Sequence, residues 1–172
     1  MSRIHRDLIR RQLEEAEGYL MLDLPRHALE ILERYPNWPA MQFEANLLQG
    51  EALRSLERYR EALAPLETAA MLRPGDVRVA LALGWCYKRT NRLAQAIDVL
   101  EHARRKSPDN PLLRYNLACY WSLVGDLSKA LSELEAALRL DPELRGLIAD
   151  EPDFEALRSH PEFEKVAGVQ SP

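Results

Sequence analysis

Small and apolar residues recur along this chain at a fixed interval of 34 residues, and no other feature restricts its fold as much. Ala28, Ala62, Ala96 and Ala130 mark the period, and Leu32, Leu66, Leu100 and Leu134 follow them by four residues. Twelve positions before each alanine stands a second small residue: Ala16, Gly50, Gly84 or Ala118. Nine before stands a large one, Tyr19, Leu53, Tyr87 or Trp121, and seven after come Tyr35, Ala69, Ala103 and Ala137. A period of this length, with small residues held at two phases, marks an array of helical repeats. Such arrays offer surfaces to other molecules and rarely enclose a reaction centre.

One period shows why. Between Val77 and Asn110, apolar residues fall at Ala80, Leu81, Leu83, Gly84 and Tyr87, then at Leu93, Ala96, Ile97, Leu100 and Ala103. Both runs have helical spacing, and the polar stretch Arg89-Thr90-Asn91-Arg92 between them has room only for a tight turn. Two antiparallel helices follow. At Gly84 and Ala96 the paired axes are expected to approach closely, so that a larger side chain would force them apart. Asn110-Pro111, Asp141-Pro142 and the stretch Asn37 to Pro39 place capping residues beside a first-turn proline, and Gly125-Asp126 gives a turn followed by a cap. Pro74, Pro108 and Pro142 close successive units, whereas Pro65 falls inside a helix and predicts a bend there.

These residues resemble the tetratricopeptide repeat, whose pattern runs through Leu-Gly, Tyr, Ala, an apolar residue, Ala and Pro. The third period matches with Leu83, Gly84, Tyr87, Ala96, Leu100, Ala103 and Pro108. The second matches with Gly50, Ala62, Leu66, Ala69 and Pro74, and the fourth with Leu117, Ala118, Ala130, Leu134, Ala137 and Pro142. The first keeps Tyr19, Ala28 and Leu32 but has Tyr35 for the late alanine and Ala40 for the closing proline. The resemblance implies an all-α fold, a right-handed α-solenoid of about four helix-turn-helix units plus short C-terminal capping helices. The units fall at about 9–42 (degenerate), 43–76, 77–110 and 111–144 in register within residues 1–142. Residues 143–167 are expected to form the helical cap and 168–172 a disordered tail containing Val169 to Pro172. Pro142-Glu143, Pro152-Asp153 and Pro161-Glu162 open two or three short helices, each with an acid in its first turn. This ending resembles that of many bacterial stand-alone tetratricopeptide proteins.

Composition narrows the function classes. The formal net charge of −4 gives no general reason to expect nucleic acid or an anionic membrane as partner, although the third unit is locally basic and the tail acidic. Cys86 and Cys119 have no Cys-x-x-Cys spacing and no nearby histidine, so neither a metal site nor a disulfide is expected. The opening Met-Ser-Arg-Ile-His-Arg-Asp is too charged for a signal peptide, and no run is long enough for a membrane span. The expected location is the cytoplasm. His5, His27, His102 and His160 are dispersed, and no phosphate loop or nucleophile elbow is present. The reading is therefore not an enzyme, with no cofactor, no metal and no small-molecule substrate.

The resemblance also implies that the first helix of each unit lines a concave groove. Helical spacing then places Leu47, Leu48 and Glu51 of the second unit on the groove side. Arg78, Leu81, Ala82, Trp85, Lys88 and Arg89 of the third unit join them, followed by Tyr115, Asn116 and Cys119 of the fourth. The middle of this surface is expected to be exposed and apolar, with Trp85 as its anchor, Asn116 as a donor to an extended backbone, and Arg78, Lys88 and Arg89 as contacts for acidic groups. Modules that grip chaperone carboxylate tails need lysine, asparagine and arginine there, whereas Glu14, Glu17, Glu44 and Glu51 stand in the first half. The expected partner is a peptide segment or helix of another protein, bound in an adaptor's groove. The alternatives are a structural, self-associating assembly factor or homodimer and a chaperone-like holder of an apolar client. Nucleic-acid binding through the basic third unit ranks behind both.

Overall fold

A computed structural model describes residues 3–34, 38 and 41–168. The expectations at Tyr35, Ala40, the Asn37 to Pro39 cap and the terminal Val169 to Pro172 lie outside the described residues. The structure is all-α, with no strand among the described residues. Its helices are α1 (Arg3–Met21), α2 (Pro25–Leu32), α3 (Gln42–Ser55), α4 (Tyr59–Leu72), α5 (Val77–Arg89), α6 (Leu93–Lys106), α7 (Pro111–Val124), α8 (Leu127–Leu140), α9 (Arg145–Ile148) and α10 (Pro161–Ala167). Two 3-10 helices, Pro142–Leu144 and Pro152–Leu157, interleave with the last of these. No helix of the structure is long and apolar enough to cross a membrane, among the described residues.

The chain divides into two compact units, Met1–Asn91 and Arg92–Pro172. In the first, α1 packs on α2, α2 on α3, α3 on α4 and α4 on α5, and the first helices α1, α3 and α5 also touch in succession. Phase explains the packing. Ala16, Ala28, Ala52, Ala62, Leu66 and Ala69 are fully buried, so small residues stand where backbones meet. Each buried leucine between them contributes roughly 1.5–3 kcal/mol of transfer free energy. Helix α4 runs unbroken through Pro65, whose ring is buried. Trp38 is 6% exposed and its indole N–H donates to the Leu32 carbonyl at 3.1 Å, satisfying one of the carbonyls left open at the end of α2.

In the second unit α7 packs on α6 and α8, and the tail folds back onto the pair: Pro142–Leu144 and α10 against α8, and Pro152–Leu157 against α7. Leu144, Ile148, Phe154, Leu157 and Phe163 are buried there, and the Phe154 and Phe163 rings lie 5.4 Å apart. Arg145 donates to the carbonyls of Val166 (3.0 Å) and Ala167 (2.7 Å), placing a cation on the C-terminus of α10. Glu133 of α8 receives both Arg114 of α7 (3.0 Å) and Arg104 of α6 (3.5 Å).

Helix ends follow the local sequence. The side chains of Asp76, Asn110, Asp126 and Asp141 accept from Val79, Leu113, Lys129 and Glu143 backbone N–H groups at 3.0–3.2 Å. The inner turns repeat as well. Asp23, Glu57, Asn91 and Gly125 all take positive φ (57°, 58°, 60° and 85°), one period apart. After three of them the next N–H reaches back five residues: Leu24 to Tyr19 (2.9 Å), Arg58 to Leu53 (2.9 Å) and Asp126 to Trp121 (3.0 Å). This is the Schellman closure of a helix, and it gives the large residues of the repeat a backbone role beside their packing one.

Candidate functional site

The first helices of the first unit share one face, and position within the period decides what stands on it. Arg10, Glu44 and Arg78 occupy one phase; Leu13, Leu47 and Leu81 a second; Glu14, Leu48 and Ala82 a third; Glu17, Glu51 and Trp85 a fourth. Charge therefore alternates along the first row, while the second is continuously apolar.

Tertiary contact turns these rows into a cleft of about 440 Å³. Leu13, Phe43, Leu47 and Leu48 form its apolar floor, and Arg10, Glu14, Glu17, Glu44, Arg73 and Arg78 its charged rim, with Met41 at one edge. Arg78 on α5 reaches Glu51 on α3 at 3.0 Å and Glu17 on α1 at 3.5 Å, so one guanidinium ties three helices. Burial works against its charge, but Glu51 and Glu17 outweigh that and hold its pKa above the usual arginine value. Arg73 pairs with Glu44 and lies 3.7 Å over the Phe43 ring. Exposed pairs of this kind add little stability, at most about 1 kcal/mol each. Their effect is to fix the shape and polarity of the rim.

Several expected site residues stand elsewhere than the sequence suggested. Leu47, Leu48 and Ala82 are 3%, 4% and 6% exposed, because each first helix also packs against the neighbouring first helix. The two leucines floor the cleft rather than forming an open stripe. Trp85 is exposed at 37%, with the Lys88 ammonium 4.5 Å over its ring, and Leu81 beside it is half-buried. Arg78 is engaged by two carboxylates, which corrects the expectation of a base free for an acidic partner. Arg89 turns toward α4, 5.2 Å over the Tyr59 ring, and lines a separate shallow depression with Glu57, Arg58 and Thr90.

Tyr115 and Cys119 are corrected most clearly. Both are buried, at 4% and 3%, beneath the 3-10 helix Pro152–Leu157. Phe154 meets the Tyr115 ring edge-on at 5.7 Å, and the hydroxyl of Ser122, one turn further along α7, donates to the Asp153 carbonyl at 2.6 Å. Asn116 is half-buried, and its amide donates to the Leu112 carbonyl of its own helix at 2.8 Å. Sequence reasoning left Phe43 and Arg73 out of the site, whereas Arg10 and Leu13 stand on the groove stripe it gave, as the phase-mates of Glu44 and Leu47 one period earlier.

Residues 53–118 match the family described as Tetratricopeptide repeat. The chain is similar to Phagocyte signaling-impaired protein of Drosophila pseudoobscura pseudoobscura, 29% identical over 119 residues, and to Sperm-associated antigen 1 of Rattus norvegicus, 26% identical over 103 residues. Those alignments take in 69% and 60% of this chain but only 12% and 11% of the two relatives' lengths. Among solved structures, MamA from Desulfovibrio magneticus RS-1 has the same fold, with a TM-score of 0.70 at 22% identity over 95% of this chain and 93% of that one. YrrB, described as a TPR protein with an unusual peptide-binding site, gives a TM-score of 0.67 at 20% identity over 74% and 66%. The matched segment, the in-phase small residues and the repeated helix pairs agree: residues 53–118 carry tetratricopeptide repeats, and the described residues have the fold of a tetratricopeptide-repeat protein.

Proposed function

We propose that this protein is a non-enzymatic adaptor that receives a peptide segment or helix of another protein on the α1–α3–α5 face. The observation that carries the reading is the cleft itself: an apolar floor of Leu13, Phe43, Leu47 and Leu48 inside a rim of fixed charges. An apolar floor supplies affinity for side chains, and a charged rim supplies orientation. Trp85, exposed on the same helix as the bridging Arg78, extends the face with a residue type enriched at binding hot spots. The description of the similarly folded YrrB as carrying a peptide-binding site fits this reading.

The test is a selection of peptides from a random display library on the full chain, followed by affinity measurement on Glu14→Arg, which alters only an exposed rim position. A selected peptide is expected to lose affinity at least about tenfold, roughly 1.4 kcal/mol, on that variant, provided both proteins melt alike. Equal affinity for both proteins would place binding elsewhere. A mass that rises with concentration, together with failure to select any peptide, would favour self-association instead.

A further inference from the structure

The rim of the α1–α3–α5 cleft is unevenly charged. Glu44 and Arg73 neutralise each other, and Arg73 also lies against the Phe43 ring. Arg78 is a single guanidinium between two carboxylates, Glu51 at 3.0 Å and Glu17 at 3.5 Å. That trio keeps one negative charge in excess. The excess falls toward Glu17, whose contact is the longer and whose side chain is 41% exposed against 20% for Glu51.

Glu14 lines the cleft one turn before Glu17 and has no ion-pair partner among the described residues. Like charges one turn apart on a helix face repel, and a cation between them relieves the repulsion. Arg10, the remaining base of the rim, stands seven residues before Glu17, about 10 Å along the axis of α1. That is about one Debye length in physiological salt, so Arg10 leaves the Glu17 end negative. The apolar floor lies between two ends of opposite sign.

We propose, on the basis of the adaptor function above, that the cleft takes a cationic and apolar segment of another protein. A large apolar side chain meets the floor of Leu13, Phe43, Leu47 and Leu48, and a lysine or arginine beside it sits between Glu14 and Glu17. The floor gives affinity, and the carboxylates select the sign of the partner. An acidic segment meets repulsion there. The chain's own tail is such a segment: from Glu143 onward seven acids stand against Arg145, Arg158 and Lys165. A second copy's tail therefore has the wrong sign for this cleft, and its Leu144, Ile148, Phe154 and Phe163 are already buried.

The experiment offers the full chain two displayed peptide libraries. Both carry a central tryptophan in random neutral sequence; one offers lysine at the flanking positions and the other glutamate. Selected peptides are located by nuclear magnetic resonance shifts on the labelled chain, and their affinities are measured at low and physiological salt. The lysine library is expected to enrich on α1, α3 and α5, with affinity that falls as salt rises. Exchanging the lysine of a selected peptide for glutamate is expected to weaken binding at least about tenfold, and Glu14→Lys to recover part of that loss for the glutamate peptide. The peptide exchange needs no protein variant, so it reads the charge preference even if Glu14→Lys fails to fold. Enrichment of the glutamate library on this face, equal enrichment of both, or equal affinity after the exchange would overturn the cationic assignment and leave the adaptor function standing. Peptides that map away from α1, α3 and α5, or none selected from either library, would overturn both.

Discussion

A methyl group placed on Gly50 of α3 would overlap the Leu66 side chain of α4, so the two helices meet at a separation that only glycine at this position permits. Leu66 is fully buried. Gly50→Ala is expected to destabilise the protein by about 1–3 kcal/mol, despite the better helix propensity of alanine. Urea unfolding reads the loss. In a Leu66→Ala background the same change should cost clearly less, and equal costs in both backgrounds would show that the contact is not the cause.

The positive-φ residues give a prediction of opposite sign. Asp23, Glu57 and Asn91 hold a left-handed conformation that Gly125 occupies without a Cβ penalty. Glu57→Gly is expected to raise stability by about 0.5–1 kcal/mol, because the strain relieved exceeds the added freedom of the unfolded chain. Gly125→Ala is expected to lower it by about 1 kcal/mol. Thermal midpoints of the two variants should move in opposite directions.

Trp85 and Phe154 separate surface from core. Trp85 is 37% exposed, whereas Phe154 is fully buried between Tyr115 and Phe163. Phe154→Ala should cost about 3–5 kcal/mol, and Trp85→Ala only about 1 kcal/mol. Comparable losses in the two variants would mean that Trp85 is a core residue.

Cys86 supplies a pH dependence. Burial pushes its thiol up to about 11 from an ordinary 9.0, with the nearby Arg54 opposing only in part. The unfolded chain therefore releases this proton first. The stability linked to Cys86 is fully present below pH 9 and is lost as pH rises toward 11. At neutral pH, iodoacetamide is expected to leave Cys86 unmodified in the folded protein and to modify it in urea. Rapid alkylation of Cys86 under native conditions would contradict this placement.

The sequence was legible wherever one residue type has one physical reason to stand at a phase. Small residues at helix crossings, and Asn110, Asp126 and Asp141 at helix starts, could be read directly. The left-handed turns could not, since Asp23, Glu57 and Asn91 carry side chains that do not announce positive φ; only their phase relation to Gly125 does. Periodicity also identifies a helix face without identifying what covers it. Tyr115 and Cys119 share a phase with Leu81 and Trp85, yet the chain's own Pro152–Leu157 lies over them. The aperiodic tail has no partner phase from which its docking could be inferred. Arg73 and Phe43 joined the cleft for a related reason, as they reach it from helix ends outside the groove-facing rows.

The most direct measurement for the account is a nuclear magnetic resonance titration of a selected peptide into the isotopically labelled full chain. The predicted result is a set of saturable shift changes confined to α1, α3 and α5, strongest around Glu14, Leu47, Arg78 and Trp85. Changes centred instead on α7 and the tail, or on the depression lined by Tyr59 and Arg89, would contradict the assignment of the α1–α3–α5 face.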